Sequence, residues 1–180
     1  MKYMIASDIH GSNYYCHKML KAYEREGAEK LILLGDLLYH GPRNDLPRDY
    51  NPKMVIQRLN EKKQELLCVR GNCEAEVDQM VLEFSVMAEY AWITMDGLNV
   101  FATHGHLHNI EKMPPLKKGD ILLHGHTHIQ AMEPVGECWY INPGSVSIPK
   151  EENENSYMIY EDKTFIIKNL DGKEIRRITF

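Results

Sequence analysis

Short apolar runs alternate with amphipathic stretches through the first half of the chain, and the pattern changes near residue 90. Lys2 to Ala6 is an apolar run that stops at Ser7-Asp8, the length and composition of a buried strand. Behind it Cys16, Met19, Leu20 and Tyr23 fall at i, i+3, i+4 and i+7. That spacing predicts a helix opening at Ser12 or Asn13 and stopping at Gly27. Lys30 to Leu34 repeats the strand signal and ends at Gly35-Asp36, before a polar loop containing Gly41-Pro42-Arg43-Asn44. Asn51-Pro52 is an N-cap and first-turn pair, predicting a helix to about Gln64. Glu65 to Val69 reads as a third strand and Glu76 to Phe84 as a shorter helix.

From Ala91 onward the pattern is that of strands joined by tight turns. Ala91 to Met95 and Leu98 to Thr103 flank Asp96-Gly97, which favours a type I′ hairpin turn. Asp120 to Leu123 is the next strand. Gln130 to Pro134, Cys138 to Asn142, Ser156 to Tyr160, Phe165 to Asn169 and Glu174 to Thr179 follow, the last two joined at Asp171-Gly172. Strand–helix alternation followed by hairpins predicts a layered α/β fold of two mixed sheets packed together with helices outside. With no repeat or linker, residues 1–180 read as one domain.

Composition narrows the function classes. A formal charge of −5 supplies no general basic surface, hence no strong nucleic-acid signal. The opening apolar stretch reaches Asp8 too soon for a signal sequence or a membrane span, and no later run is long enough. Four cysteines without C-x-x-C spacing (Cys16, Cys68, Cys73, Cys138) read as reduced thiols, so a cytoplasmic protein with no membrane partner is expected. Cys16, Cys68 and Cys138 lie within apolar patterns and are expected in the core.

The chemistry gathers where strands end. Asp8-Ile9-His10, Gly35-Asp36, Gly71-Asn72, His104-Gly105-His106 and Gly125-His126-Thr127-His128 each follow an apolar strand. In open α/β sheets, ligands gather at the carboxyl ends of strands, so five such stretches can converge on one crevice. Carboxylate, imidazole and amide oxygen, with no thiolate required, suit Mn²⁺, Fe or Zn²⁺ rather than a structural Cys₄ zinc. Asp8, His10, Asp36, Asn72, His104, His126 and His128 are too many donors for one tetrahedral ion and about right for two. Each Asp or Asn beside glycine could alone be a turn former. His124, before the cluster's glycine, reads as a sheet residue. His106 reads as a substrate contact, a support for the ligands or a polar turn residue, and His108 is given no role. Glu74 is expected to orient ligands, and Asn142-Pro143-Gly144-Ser145 to form a structural turn. The strands of Trp92 and Trp139 are expected to supply core or subunit contact.

The ordered series D-I-H, G-D, G-N-C-E, H-G-H and G-H-T-H resembles the calcineurin-like metallophosphoesterases, in particular the YfcE-type bacterial phosphodiesterases. The resemblance covers about Met1 to Lys150 and includes His40-Gly41-Pro42-Arg43-Asn44 and Asn142-Pro143-Gly144-Ser145. It implies a four-layer αββα sandwich and a phosphodiesterase that uses two divalent ions, Mn²⁺ foremost, with Fe²⁺, Co²⁺, Zn²⁺ or Ni²⁺ also suited. By the resemblance, one metal takes Asp8, His10, Asp36 and His128. The other takes Asp36, Asn72, His104 and His126, and a hydroxide bridging the two attacks phosphorus. Asp36, Asn72, His104 and Cys73 then carry the catalytic roles, while His40, Arg43 and Asn44 are expected to bind a small phosphodiester. Cys73 stands where most of the family has histidine; a neutral thiol is a poor hydrogen-bond donor, so good leaving groups should be favoured. The alternatives are a phosphomonoesterase of the same fold and a non-catalytic scaffold of the retromer-subunit type. The resemblance and the edge-strand candidates also suggest a homo-oligomer, dimer or tetramer.

Overall fold

A computed structural model describes residues 1–180. In chain order the elements are β1 (Tyr3–Ala6), α1 (Asn13–Glu26), β2 (Lys30–Leu33), α2 (Pro52–Asn60), β3 (Leu66–Cys68), α3 (Glu76–Val81), β4 (Tyr90–Met95) and β5 (Leu98–Thr103). Then come β6 (Ile121–Leu123), β7 (Gln130–Val135), β8 (Cys138–Pro143), β9 (Ser156–Glu161), β10 (Thr164–Asn169) and β11 (Glu174–Thr179). They form two mixed sheets, ordered β11-β10-β9-β1-β2-β3 and β4-β5-β6-β8-β7. Each has three parallel strands, β1, β2 and β3 in the first and β5, β6 and β8 in the second, extended by antiparallel neighbours.

The period-two alternation of each strand divides its side chains between two cores. Ile5, Ile32, Leu34, Met158 and Tyr160 face Val100, Ala102, Ile121, Leu123 and Ile141 of the second sheet. On the other face of the first sheet, Met4, Ala6, Leu31, Leu33, Tyr157 and Ile159 pack against Cys16, Met19, Leu20 and Tyr23 of α1 and Val55 and Leu59 of α2. Helix α1 has the ends that its sequence predicts. Ser12 Oγ accepts a hydrogen bond from Tyr15 N, and Gly27 closes it at φ 63°, where a β-carbon would be strained.

Two helices stop earlier than periodicity predicts. Helix α2 ends at Asn60 rather than near Gln64, because the Asn60 side chain bonds Val81 O and Glu83 N across the loop and residues 61–65 coil into turns. Helix α3 ends at Val81 rather than Phe84, because the Gln79 amide takes Leu82 O, Phe84 O and Val86 N for itself. The outer face of the second sheet (Phe101, Leu122, Ala131, Tyr140) is covered by residues 105–119 without a regular helix. The pair Pro114-Pro115 removes two backbone donors there, and Asn109 Oδ1 accepts from Glu111 N and Lys112 N to form a turn instead. No helix is long and apolar enough to cross a membrane.

This layering brings β1, β2 and β3 alongside β5, β6 and β8 with their carboxyl ends at one edge. All five predicted strand-end stretches meet there.

Candidate metal centre

Five of the seven predicted ligands hold a left-handed backbone: Asp8 (φ 59°), His10 (48°), Asp36 (55°), His126 (62°) and His128 (62°). Each such residue costs of order ~1 kcal/mol, and a cluster of them persists only where the surroundings over-determine it. Here the surroundings are backbone ladders: His10 N donates to Asp36 O, Gly11 N to Leu37 O, and Asp8 N to Gly35 O. Chain reversals at these strand ends turn the polar side chains inward to one place.

The imidazoles are locked from behind. The Nδ1 of His10 lies 2.8 Å from Tyr39 O, that of His104 2.6 Å from Leu34 O, and that of His128 2.5 Å from Ile148 O. Donation of Nδ1–H to a carbonyl leaves the Nε2 lone pair of each ring facing into the site. Those lone pairs converge: His10 Nε2 and His128 Nε2 are 3.2 Å apart, and His104 Nε2 is 3.1 Å from both His126 Nδ1 and Asn72 Oδ1. Acceptors pressed together this way repel unless a proton or cation lies among them.

The carboxylates complete the arrangement. Asp8 Oδ2 accepts from Ser7 Oγ and His126 N, while Oδ1 is buried without a hydrogen-bond partner, 3.2 Å from His128 Nε2. Asp36 Oδ1 accepts from Cys73 N, and Oδ2 lies 3.6 Å from His10 Nε2 and 3.4 Å from His104 Nε2. One carboxylate oxygen thus stands between two sets of donors. Asp8, His10 and His128 form one set and Asp36, His104 and His126 another, each with donor atoms within 4.8 Å of one another. The Cys73 thiol joins His10 and Asp36 in a third such group. Orphaned acceptors of mixed carboxylate and imidazole chemistry fit divalent cations.

Electrostatics follow from the same packing. Burial works against a charge on Asp8, yet the adjoining imidazoles of His10 and His128 hold its carboxyl well below the usual range. Burial likewise opposes charge on His104, but the Asp36 hydrogen bond and the fields of Asp8 and Asp36 push it up to about 9. Burial and the nearby His104 push His126 down to about 4. Burial, then the charge of Asp36, pushes the Cys73 thiol up, so it stays protonated through the physiological range. Cation uptake needs neutral His104, so in the metal-free protein a proton must leave it. Apparent metal affinity should therefore rise with pH until about 9 and then level off. Calorimetric titration at pH 7 in buffers of different ionisation enthalpy should show proton release on binding; uptake without release would contradict this.

Beneath the centre lies Glu74, 3% exposed, accepting from Leu37 N (2.7 Å), Asp36 N (2.8 Å) and Gly71 N (2.5 Å). It clamps the Gly35-Asp36 turn to the Gly71-Asn72 turn, the orienting role expected of it. The Asn142–Ser147 segment serves Asp8: Ser145 Oγ and Ser147 Oγ both donate to Asp8 O, and Asn142 Nδ2 to Gly125 O. The structural turn expected at Asn142-Pro143-Gly144-Ser145 carries this support.

A cavity of about 170 Å³ opens over the donors, and Arg43, Asn44 and Lys150 reach it. His40 does not. Its ring packs between Tyr39 and Tyr50, so it shapes the loop whose Arg43 and Asn44 line the cavity. Lys150 ends the resembling stretch that begins at Asn142 and carries no expected role in the sequence; the structure places it in the cavity lining, with Lys150 N donating to His128 O. His108 packs edge-on against Phe101 and Tyr90, away from the donors. His106 lies 5.5 Å from the His104 ring with its Nδ1 buried and unpartnered. His124 lies just past the end of β6 rather than in the sheet, with its ring packed on Tyr140 at 4.5 Å.

Residues 1–164 match the family model of the calcineurin-like phosphoesterase superfamily domain. The chain is 44% identical over 175 residues to phosphodiesterase YfcE of Escherichia coli K12, covering 97% of this chain and 95% of that one. A solved structure of the E. coli phosphoesterase Yfce superposes with a TM-score of 0.96 at 43% identity over 99% of both chains. Zinc-complexed Vps29 of Entamoeba histolytica shares the fold, with a TM-score of 0.62 at 19% identity over 99% of this chain and 98% of that one.

Proposed function

We propose that this chain, which belongs to the calcineurin-like phosphoesterase superfamily, hydrolyses phosphodiesters with two divalent cations held by the seven strand-end residues. Family membership makes it a metal-dependent phosphoesterase; the diester preference follows the 44%-identical phosphodiesterase. One observation carries the two-cation reading: Asp36 Oδ2 stands between two convergent sets of imidazole lone pairs.

In this reading Asp8, His10, Asp36 and His128 hold one ion and Asp36, Asn72, His104 and His126 the other. When bound, the ions would lower the pKa of water to supply a hydroxide nucleophile near neutral pH and would neutralise the phosphoryl oxygens. Asp36 sets the spacing between the two sets, and backbone carbonyls hold three imidazoles in the tautomer that presents Nε2. Arg43 and Asn44 position the phosphate, the guanidinium being suited to bidentate contact with its oxygens. Mn²⁺ is the first choice of ion, since mixed oxygen and imidazole donors suit it. We further take residues 1–180 as one domain that works in the cytoplasm as a homo-oligomer. Exposed Tyr90 and Trp92, both packed on Phe101, supply an apolar patch for subunit contact.

The decisive experiment reconstitutes metal-stripped protein with single ions and assays bis-p-nitrophenyl phosphate against p-nitrophenyl phosphate. The expected result is ion-dependent diester hydrolysis that exceeds monoester hydrolysis, lost in Asn72→Ala. Monoester preference would favour the phosphatase alternative, and no ion-dependent hydrolysis at all would favour the scaffold.

Cys73 bears on the leaving group. Its thiol remains protonated, but as a weak donor it gives a departing alkoxide little help. Across aryl and alkyl diesters, kcat/KM should fall steeply as leaving-group basicity rises. A flat series with chemistry rate-limiting would remove this role from Cys73.

A further inference from the structure

We infer that Lys150 reads a second anionic group, a phosphate or carboxylate carried on one ester arm of the substrate, beside the phosphorus that is cleaved. The inference rests on the diesterase reading above. Eleven residues line the cavity over the donors and only one is hydrophobic; its two cationic side chains, Arg43 and Lys150, come from different loops. Neither takes part in an ion pair anywhere in the chain. Glu151 and Glu152, which follow Lys150, line a separate cavity with Gln130 and Ile175 and leave the lysine uncompensated.

Charge decides what these two cations are for. Two divalent ions, the carboxylates of Asp8 and Asp36, a hydroxide and a diester monoanion sum to zero formal charge. Glu74, just beneath, adds one negative charge that acts on Asp36 and Cys73, and one of the two cations offsets it. Of Arg43 and Lys150, one is therefore in excess for a diester of two neutral alcohols. As hydroxide attacks, charge shifts onto the phosphoryl oxygens and then the leaving oxygen, and one cation can follow it. The other has no partner unless the substrate brings one. Lys150 is the better placed for a remote group: its backbone is tied to His128 O, while the residue is exposed, lines the cavity and makes no ion pair. A flexible point charge suits a group whose distance varies, whereas Arg43 suits the planar oxygens at phosphorus. The cavity's small size and lack of an aromatic wall fit compact polar arms.

The test measures binding of unreactive mimics to the metal-loaded protein by calorimetry. The probes are dipropylphosphinate and its two analogues in which one propyl arm ends in a carboxylate or a phosphonate. Wild-type protein should bind at least one charged-arm analogue about fivefold more tightly than dipropylphosphinate, the scale of one partly exposed ion pair. The preferred analogue identifies the group. Lys150→Met should erase that preference, Lys150→Arg should keep it, and Arg43→Met should weaken all three probes alike. No preference in wild-type protein, or a preference that survives Lys150→Met, would overturn the inference. Hydrolysis of bis-p-nitrophenyl phosphate by the same wild-type preparation is recorded alongside. Its absence would count against the diesterase reading, while a failed probe series with hydrolysis intact would count against Lys150 alone.

Discussion

Gly125→Ala should lose metal binding and activity together and lower the melting temperature by about 5–10 °C, from overpacking of about 2–3 kcal/mol. The position does not need an unusual φ; it needs space. A β-carbon there would overlap Ser7 Oγ and stand 2.6 Å from Ser7 Cβ and 2.7 Å from Asp8 Oδ2. None of these atoms can yield cheaply. Ser7 Oγ donates to Asp8 Oδ2, which also receives His126 N, and Asp8 O is held by two serine hydroxyls. Relieving the clash moves Asp8, and a donor displaced by 1 Å costs on the order of a hundredfold in rate. Metal content by emission spectroscopy and a thermal melt check both halves. A variant that melts normally and retains full metal would refute the packing account.

Glu74→Ala is expected to be nearly as severe through a different cause. It strands three buried backbone donors, Asp36 N, Leu37 N and Gly71 N, each worth about 1–3 kcal/mol when unsatisfied. Entering water would recover part of this, leaving a loss of about 3–4 kcal/mol. The functional loss should exceed the stability loss, because the same bonds set the distance between Asp36 and Asn72. A drop in metal affinity of about 10–100-fold is the usual size for a group that orients ligands. Glu74→Gln keeps one acceptor oxygen and should fall between wild type and Ala. Equal metal affinity in all three proteins, measured by competition with a chelator, would show that the clamp does not position the ligands.

Much of the centre is legible in the order of residues along the chain. Aspartate, asparagine and histidine recur at the ends of apolar runs, and that recurrence is local information. So are the Ser12 cap, the Gly27 stop and the Asp96-Gly97 turn, whose φ values of 49° and 84° are those a type I′ hairpin needs. The helix ends at Asn60 and Val81 are not legible, because side chains from distant segments take over the backbone groups there. His40 illustrates the same limit. Its neighbours Arg43 and Asn44 reach the cavity, but its ring is claimed by Tyr39 and Tyr50, and no spacing along the chain reveals that.

The sequence by itself determined which donors exist and that each follows a strand, since residue type and hydrophobic period are properties of neighbouring positions. Only the tertiary structure decided that Asp36 Oδ2 stands between two donor sets and that Asp8 Oδ1 is left without a partner. It alone brought Lys150 beside His128. The reason is physical. Ring tautomers are set by carbonyls of Tyr39, Leu34 and Ile148, which lie 20 to 70 positions away in the chain. Contacts at that separation are made by sheet packing, and sheet packing depends on every strand at once.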